Sequence, residues 1–125
     1  MLKIGVVTGA SNGIGEGIAS RLDQDGWRVF NLDRSEPKNK TNPARWIETD
    51  LREPTAIATA FDLIRHEGPI TGLVNNAGLG IMTELENTSI EDFDLTVDVN
   101  IKAPLLCAQA VLGDMKEVGF GRIVN

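Results

Sequence analysis

Apolar and polar positions change period several times along the chain, and each change marks an element. Leu2-Lys3-Ile4-Gly5-Val6-Val7 is a short apolar, β-branched run closed by Thr8-Gly9, the pattern of a buried strand. From Gly13 the spacing turns helical: Ile14, Ile18 and Leu22 fall at i, i+4 and i+8 and predict one buried helix face. Gly26 closes that helix as its C′ residue. Trp27 to Leu32 forms a second strand ending at Asp33, and the polar, proline-containing stretch from Ser35 to Pro43 is a loop. Arg45 to Thr49 is a third, less apolar strand. Pro54 suits a first helical position, with Ile57, Phe61 and Ile64 supplying the next buried face. Gly68-Pro69 ends that helix, and Ile70 to Val74 is a fourth strand running into Asn75-Asn76-Ala77-Gly78.

A long helix follows. Ser89 and Asp92 have the spacing of a capping box, and Phe93, Val97, Ile101, Leu105, Ala108, Leu112 and Met115 recur at helical spacing to about Glu117. Pro104 should kink it. After Gly119-Phe120-Gly121, Arg122 to Asn125 opens a fifth strand.

Strands alternating with helices predict parallel strands joined by right-handed crossovers, a single α/β domain over residues 1–125. The second connection, about ten residues, is short for a helical crossover. One face of the sheet is therefore expected to be guarded mainly by the first helix, and the fifth strand to be an open edge. On these grounds the expectation is an incomplete fold.

Composition narrows the function. The 125 residues hold 12 basic and 18 acidic side chains, a formal net charge of −6, which argues against a nucleic-acid or anionic-membrane surface. No run approaches the roughly 20 apolar residues that cross a bilayer, and Met1 to Val7 leads straight into a strand, so no secretory leader is expected. One cysteine, Cys107, excludes an intrachain disulfide and suits a reducing cytoplasm. With one histidine, His66, no metal site of the usual ligand types is expected. There is no tyrosine, which excludes any mechanism in which this chain supplies a phenol.

The strongest local constellation is Thr8-Gly9-Ala10-Ser11-Asn12-Gly13-Ile14-Gly15, between strand and helix. Gly9 lets the chain turn sharply, Gly13 lets amides approach a pyrophosphate, and Gly15 lets the helix pack tightly on the sheet. The N–H groups around Ser11, Asn12, Gly13 and Ile14 are expected to point at the anion, helped by the positive end of the helix dipole. Asp33 stands at the end of the second strand, 18 positions after Gly15, where a carboxylate accepts bonds from the adenosine ribose hydroxyls. The same charge repels a 2′-phosphate and favours NAD over NADP, whereas neighbouring Arg34 could pair with such a phosphate.

Together these residues resemble the short-chain dehydrogenase/reductase family, along the whole chain. The Thr-Gly-x-x-x-Gly-x-Gly spacing of Thr8 to Gly15 is similar to its cofactor turn. Asn75-Asn76-Ala77-Gly78 is similar to its motif after the fourth strand, Asp50-Leu51 to the pair beside the adenine ring, and Asn100 to the asparagine of its proton relay. The resemblance implies a Rossmann-like, doubly wound sheet of about five strands in order 3-2-1-4-5, without the C-terminal strands and helices. It implies that Asn76, Ala77 and Gly78 line the nicotinamide-side ribose and that Val99 touches the cofactor. It further implies a parent oxidoreductase interconverting a small-molecule alcohol and carbonyl, and a homo-oligomer built on the long helix.

The resemblance also breaks. The family's catalytic serine and Tyr-x-x-x-Lys pair have no counterpart here: the last serine is Ser89, and Lys102 and Lys116 lie on the wrong helix. Of that set only Asn100 carries over, read as a buried amide in mid-helix. Hydride transfer by these residues alone is not expected. The alternative is a non-catalytic module that binds dinucleotide or self-associates. The six acidic residues between Glu84 and Asp98 read as a solvated helix start, and Cys107 as a small core residue.

Overall fold

The computed structural model describes residues 2–125. Five parallel strands form one sheet: β1 (Lys3–Thr8), β2 (Trp27–Asp33), β3 (Arg45–Glu48), β4 (Ile70–Val74) and β5 (Arg122–Val124), in the order β3-β2-β1-β4-β5. Helix α1 (Gly13–Gln24) joins β1 to β2, α2 (Pro54–Arg65) joins β3 to β4, and a long helical stretch joins β4 to β5. This is the doubly wound α/β topology expected from the alternation. The order reverses between β1 and β4, and the crevice beyond the carboxyl ends of strands at such a reversal is where sheets of this kind bind ligands.

The two faces carry different packing. On one, α2 and α4 (Ala103–Val118) cover a core that includes Ile4, Val6, Phe30, Leu32, Phe61 and Ile64, all essentially without solvent contact. On the other, α1 lies over β1 and β2, and the buried cluster is small: Val7, Ala10, Ala19, Val29 and Ala44. Beyond α1, the Trp27 indole lies across β1 and β4. A Cβ added to Gly72 would come within 2.6 Å of that ring, so glycine there makes room for the aromatic cover.

Two predicted helix faces are corrected. On α1, Ile14 is 79% exposed, and the fully buried residues are Gly15 and Ala19; Ile18 and Leu22 are only half-buried against the small cluster. The closest approach to the sheet is made by the smallest side chains, which turns Ile14 outward. In the long helix, the buried stripe is Ala103, Cys107, Val111 and Met115. Phe93, Ile101, Leu105 and Leu112, expected inside, are exposed. That helix is apolar on two sides, and periodicity does not say which side meets the sheet. Burial pushes the Cys107 thiol up to about 12, the property of an inert core residue.

The long helix is also not a single kinked α-helix. It runs as α3 (Ile90–Val97), a π-helical stretch over Asp98–Lys102, then α4. Ser89 caps α3 by accepting the Asp92 N–H at 3.0 Å. Pro104 occupies the first turn of α4, where its missing N–H has no intrahelical acceptor to lose if the preceding turn is already widened. By length and mean composition alone, Ile90–Val118 is long and apolar enough to cross a membrane, although eight charged side chains interrupt it and no continuous apolar run of that length exists. The stripe that it buries against the sheet is that of a core helix.

Candidate functional site

The site is built where β1, β2 and β4 end. Gly9 leaves β1 with φ +68°, and a Cβ there would come within 2.9 Å of the Ala77 Cα. At Gly15 a Cβ would lie 2.4 Å from both the Gly9 carbonyl oxygen and Asn76 Nδ2. Neither position has room for a side chain. These contacts clamp the start of α1 to the turn and to the segment after β4.

Asn76 locks that arrangement. Its Nδ2 donates to the carbonyl oxygens of Thr8 and Gly9, both at 3.1 Å. The buried Thr8 hydroxyl in turn accepts the N–H groups of Asn76 at 3.1 Å and Ala77 at 3.0 Å. The end of β1 and the start of the loop after β4 are thus one hydrogen-bonded unit, although 68 residues separate Thr8 from Asn76.

The start of α1 is open. Asn12 is the N-cap but its side chain makes no capping bond, and a Cβ on Gly13 would meet nothing within 4 Å. Asn12, Gly13 and Ile14 are exposed, and among the described residues no backbone acceptor takes their amides or that of Gly15. Helix amides left without partners, at the positive end of the dipole, have the chemistry to hold an anion. One expectation changes: the Ser11 N–H is directed to Asp33 Oδ2 at 3.3 Å and does not join that group.

Beside the turn, a cleft of about 570 Å³ brings together Gly9, Asn12, Asp33, Arg34, Asp50, Leu51, Asn76, Ala77, Gly78 and Val99. Ten of the fifteen sequence-predicted site residues therefore share one cavity. Asp33, half-buried, accepts N–H bonds from Ser11 through one carboxylate oxygen and from Ser35 through the other at 3.0 Å. Asp50 accepts the Arg52 guanidinium at 2.7 to 3.2 Å and the Arg52 N–H at 3.0 Å. The guanidinium's hydrogen bonds hold the Asp50 carboxyl down at about 2, against the smaller opposing effect of burial. It stays ionised throughout the physiological range.

Asn100 lies outside that cleft, in the π-helical stretch, and lines a second hollow with Asn75, Ile123 and Asn125. It is exposed, not buried as expected. Both ends of its amide are nonetheless engaged: Oδ1 accepts the Leu79 N–H at 2.8 Å and Nδ2 donates to the Leu79 carbonyl at 2.7 Å. The side chain holds the loop after Gly78, and the π geometry sets its backbone out of register with a regular helix.

The sequence model of the family described as short chain dehydrogenase matches residues 3–125. The chain belongs to the short-chain dehydrogenase family. An uncharacterized oxidoreductase of Staphylococcus epidermidis is 34% identical, the match covering 98% of this chain and 56% of that protein. The D-threitol dehydrogenase of Mycolicibacterium smegmatis is 33% identical over 98% of this chain and 51% of its own length. The chain spans about half the length of the curated relatives it matches. Among solved structures, a metagenomic short-chain oxidoreductase in complex with NADP superimposes with a TM-score of 0.86 at 32% identity, over 97% of this chain and 60% of that one. A Brucella ovis oxidoreductase of the family, in complex with a partially ordered NAD, gives 0.86 at 30% identity, over 100% and 62%. Relatives of this family thus bind either dinucleotide.

Several residues of the site were not singled out from the sequence. Sequence pattern marks Thr8 only as the first letter of a motif and gives no signal for Arg52. Asn31 was passed over inside an apolar strand, although a lone amide between Phe30 and Leu32 is itself a signal. A buried amide needs partners, and the turn supplies them.

Proposed function

We propose that residues 1–125 are the dinucleotide-binding domain of a short-chain dehydrogenase that interconverts an alcohol and a carbonyl, with NAD preferred over NADP. The observation that carries this reading is the set of partnerless amides at Asn12, Gly13, Ile14 and Gly15 beside a cleft lined by Asp33 and Asp50 together with Arg34 and Arg52. The cradle fits a pyrophosphate because Gly13 leaves it open to solvent. Asn12, Gly13 and Ile14 would hold the phosphates, Asp33 the adenosine ribose, Asp50 and Leu51 the adenine, and Asn76 to Gly78 with Val99 the nicotinamide side. When bound, the nicotinamide supplies hydride chemistry. The chain's own part is to bind and orient: the turn neutralises the phosphates, and Asn76 fixes the turn against the segment after β4.

Asp33 supports the NAD preference, because a carboxylate bound to two backbone amides cannot swing away from a 2′-phosphate. Arg34 is exposed and free to oppose that preference, so the ratio of affinities decides it. The family's proton relay needs a phenol, and none of these 125 residues is a tyrosine. Asn100 would contribute to a relay by holding the loop at Leu79. This chain by itself is proposed to bind dinucleotide without turning over substrate. Cys107, buried and unpaired, fits a reducing cytoplasm.

The experiment is calorimetric titration of the chain with NAD and NADP, with a turnover assay on alcohol substrates alongside. Expected are micromolar NAD binding, weaker NADP binding and no turnover. No binding of either nucleotide would remove the cofactor reading, and turnover free of any longer contaminant would remove the non-catalytic one.

A second reading, self-association, is favoured by one observation. Ile90, Phe93, Ile101, Leu105 and Leu112 leave an apolar stripe exposed on the long helix, beside an exposed β5. Such a surface favours a homo-oligomer. A monomeric sedimentation profile at micromolar concentration would contradict it.

A further inference from the structure

The phosphate-binding turn is held from inside the sheet by a residue that does not line the cleft. Asn31 is in the middle of β2, wholly buried, between Phe30 and Leu32. Its Oδ1 accepts the Ala10 N–H at 2.8 Å, and its Nδ2 donates to the Ser11 hydroxyl oxygen at 2.9 Å. That hydroxyl donates onward to the Ser35 carbonyl. The carbonyl of Ala10 accepts Asn42 Nδ2 at 2.8 Å, so both backbone polar groups of this buried alanine are taken by side-chain amides from elsewhere in the chain.

The consequence is mechanical. Ala10 and Ser11 are the arm between Gly9, where the chain leaves β1, and Gly13, where the cradle opens. An arm of small residues around glycines has only the Ala10 methyl packed in the small cluster under α1, and no larger side chain to fix it. Asn31 adds to that packing two hydrogen bonds of opposite sense, in a place where water cannot substitute. Through Ser11 and Ser35 the same side chain links this arm to the loop that follows Asp33. The spacing between the phosphate amides and the Asp33 carboxylate is therefore held from inside the sheet by this buried amide, alongside the direct bond from the Ser11 N–H to Asp33.

We propose that Asn31 is a positioning residue that presets the distance between the pyrophosphate cradle and the adenosine subsite. This rests on the cofactor reading above. Its role is to order the turn before ligand arrives, so that the ordering cost is not drawn from binding.

The test separates the two subsites. ADP and adenosine are titrated against the unsubstituted chain and Asn31→Ala, and amide exchange is followed at Ala10 and at sheet positions such as Val6. Expected in the variant are faster exchange at Ala10 with Val6 still protected, an ADP Kd raised roughly tenfold, and an adenosine Kd changed by less than about twofold. A general loss of structure would weaken both ligands alike and release Val6 as well. Should Asn31→Ala not fold, Ser11→Ala removes the hydroxyl that accepts Asn31 Nδ2 and donates to the Ser35 carbonyl while leaving the Asn31 bond to the Ala10 N–H, and an ADP Kd raised about threefold with adenosine unchanged is expected. An unchanged ratio of ADP to adenosine affinity in the folded variant overturns the inference. If the unsubstituted chain binds neither ligand, the cofactor reading fails and takes this inference with it.

Discussion

The two faces of the sheet solve different problems with the same strands. The face under α2 and α4 is filled by large side chains, Phe30, Phe61, Ile57, Ile64 and Leu73 among them. The face under α1 buries nothing larger than valine, and its tightest contacts are made by backbone: Gly15 against the Gly9 carbonyl, Gly9 against Ala77. Large residues give hydrophobic stabilisation in proportion to the area removed from water. Small ones give up that gain and allow close approach, which a turn that must present amides to an anion requires. One face holds the molecule together and the other shapes the site.

The largest expected effect tests that division directly. Phe61→Ala, in the face under α2, should cost about 3–5 kcal/mol in urea denaturation, whereas Val29→Ala under α1 should cost about 1.5 kcal/mol from the two carbon groups removed. Equal losses would mean that the faces do not differ as described. Next in size is Gly15→Ala, whose Cβ has no space beside the Gly9 carbonyl and Asn76. A loss of about 1–3 kcal/mol of stability is expected, together with at least roughly tenfold weaker NAD binding, since the clamp and the cradle are the same contact. Stability lost with NAD affinity intact would separate the two.

Asp33→Ala should weaken NAD about tenfold, roughly 1.4 kcal/mol, and narrow the gap to NADP. The variant also strands the Ser11 and Ser35 amides that the carboxylate accepts. Asp33→Asn drops the charge and keeps one acceptor oxygen, so it should narrow the gap while stranding one of the two amides rather than both. An unchanged preference in both variants would take the specificity role away from Asp33. The smallest effect concerns Asp50. Its carboxyl is held down at about 2 when folded, from an ordinary value of 3.8, so the unfolded chain binds more protons in that interval. Its contribution is fully present above about pH 4 and is lost as pH falls toward 2. Asp50→Asn should flatten that part of a pH–stability curve, by an amount reduced by solvent screening; an unaltered slope would show that the Arg52 pair adds nothing.

The strands, the turn and the cleft were legible from local pattern. β1 reads as a β-branched run ended by glycine, Pro54 and Ser89 start helices by well-defined chemistry, and Asp33 ends β2 beside the cleft. The errors share one cause. Ile14 has helical spacing with Ile18 but sits on the first turn, where the glycine beside it makes the contact with the sheet. The stripe from Phe93 to Leu112 is as periodic as the one through Cys107 and Val111, and only packing selects between them. Asn100 lies on the long helix as expected, but it is exposed and falls in a π-helical stretch, neither of which periodicity reveals. The Ser11 amide was assigned to an anion because sequence does not show that Asp33 reaches it first.

What the sequence by itself determined was where the backbone must bend and open. Gly9 and Gly13 have positive φ values of 68° and 57°, and a preference for such conformations is local, written into one residue and its absent Cβ. What the tertiary structure decided was the pairing of distant groups. Asn31 meets Ala10 across 21 positions and Asn76 meets Thr8 across 68. Which buried amide finds which carbonyl is fixed only when the strands are in register, because a hydrogen bond depends on tenths of an ångström that no spacing along the chain encodes.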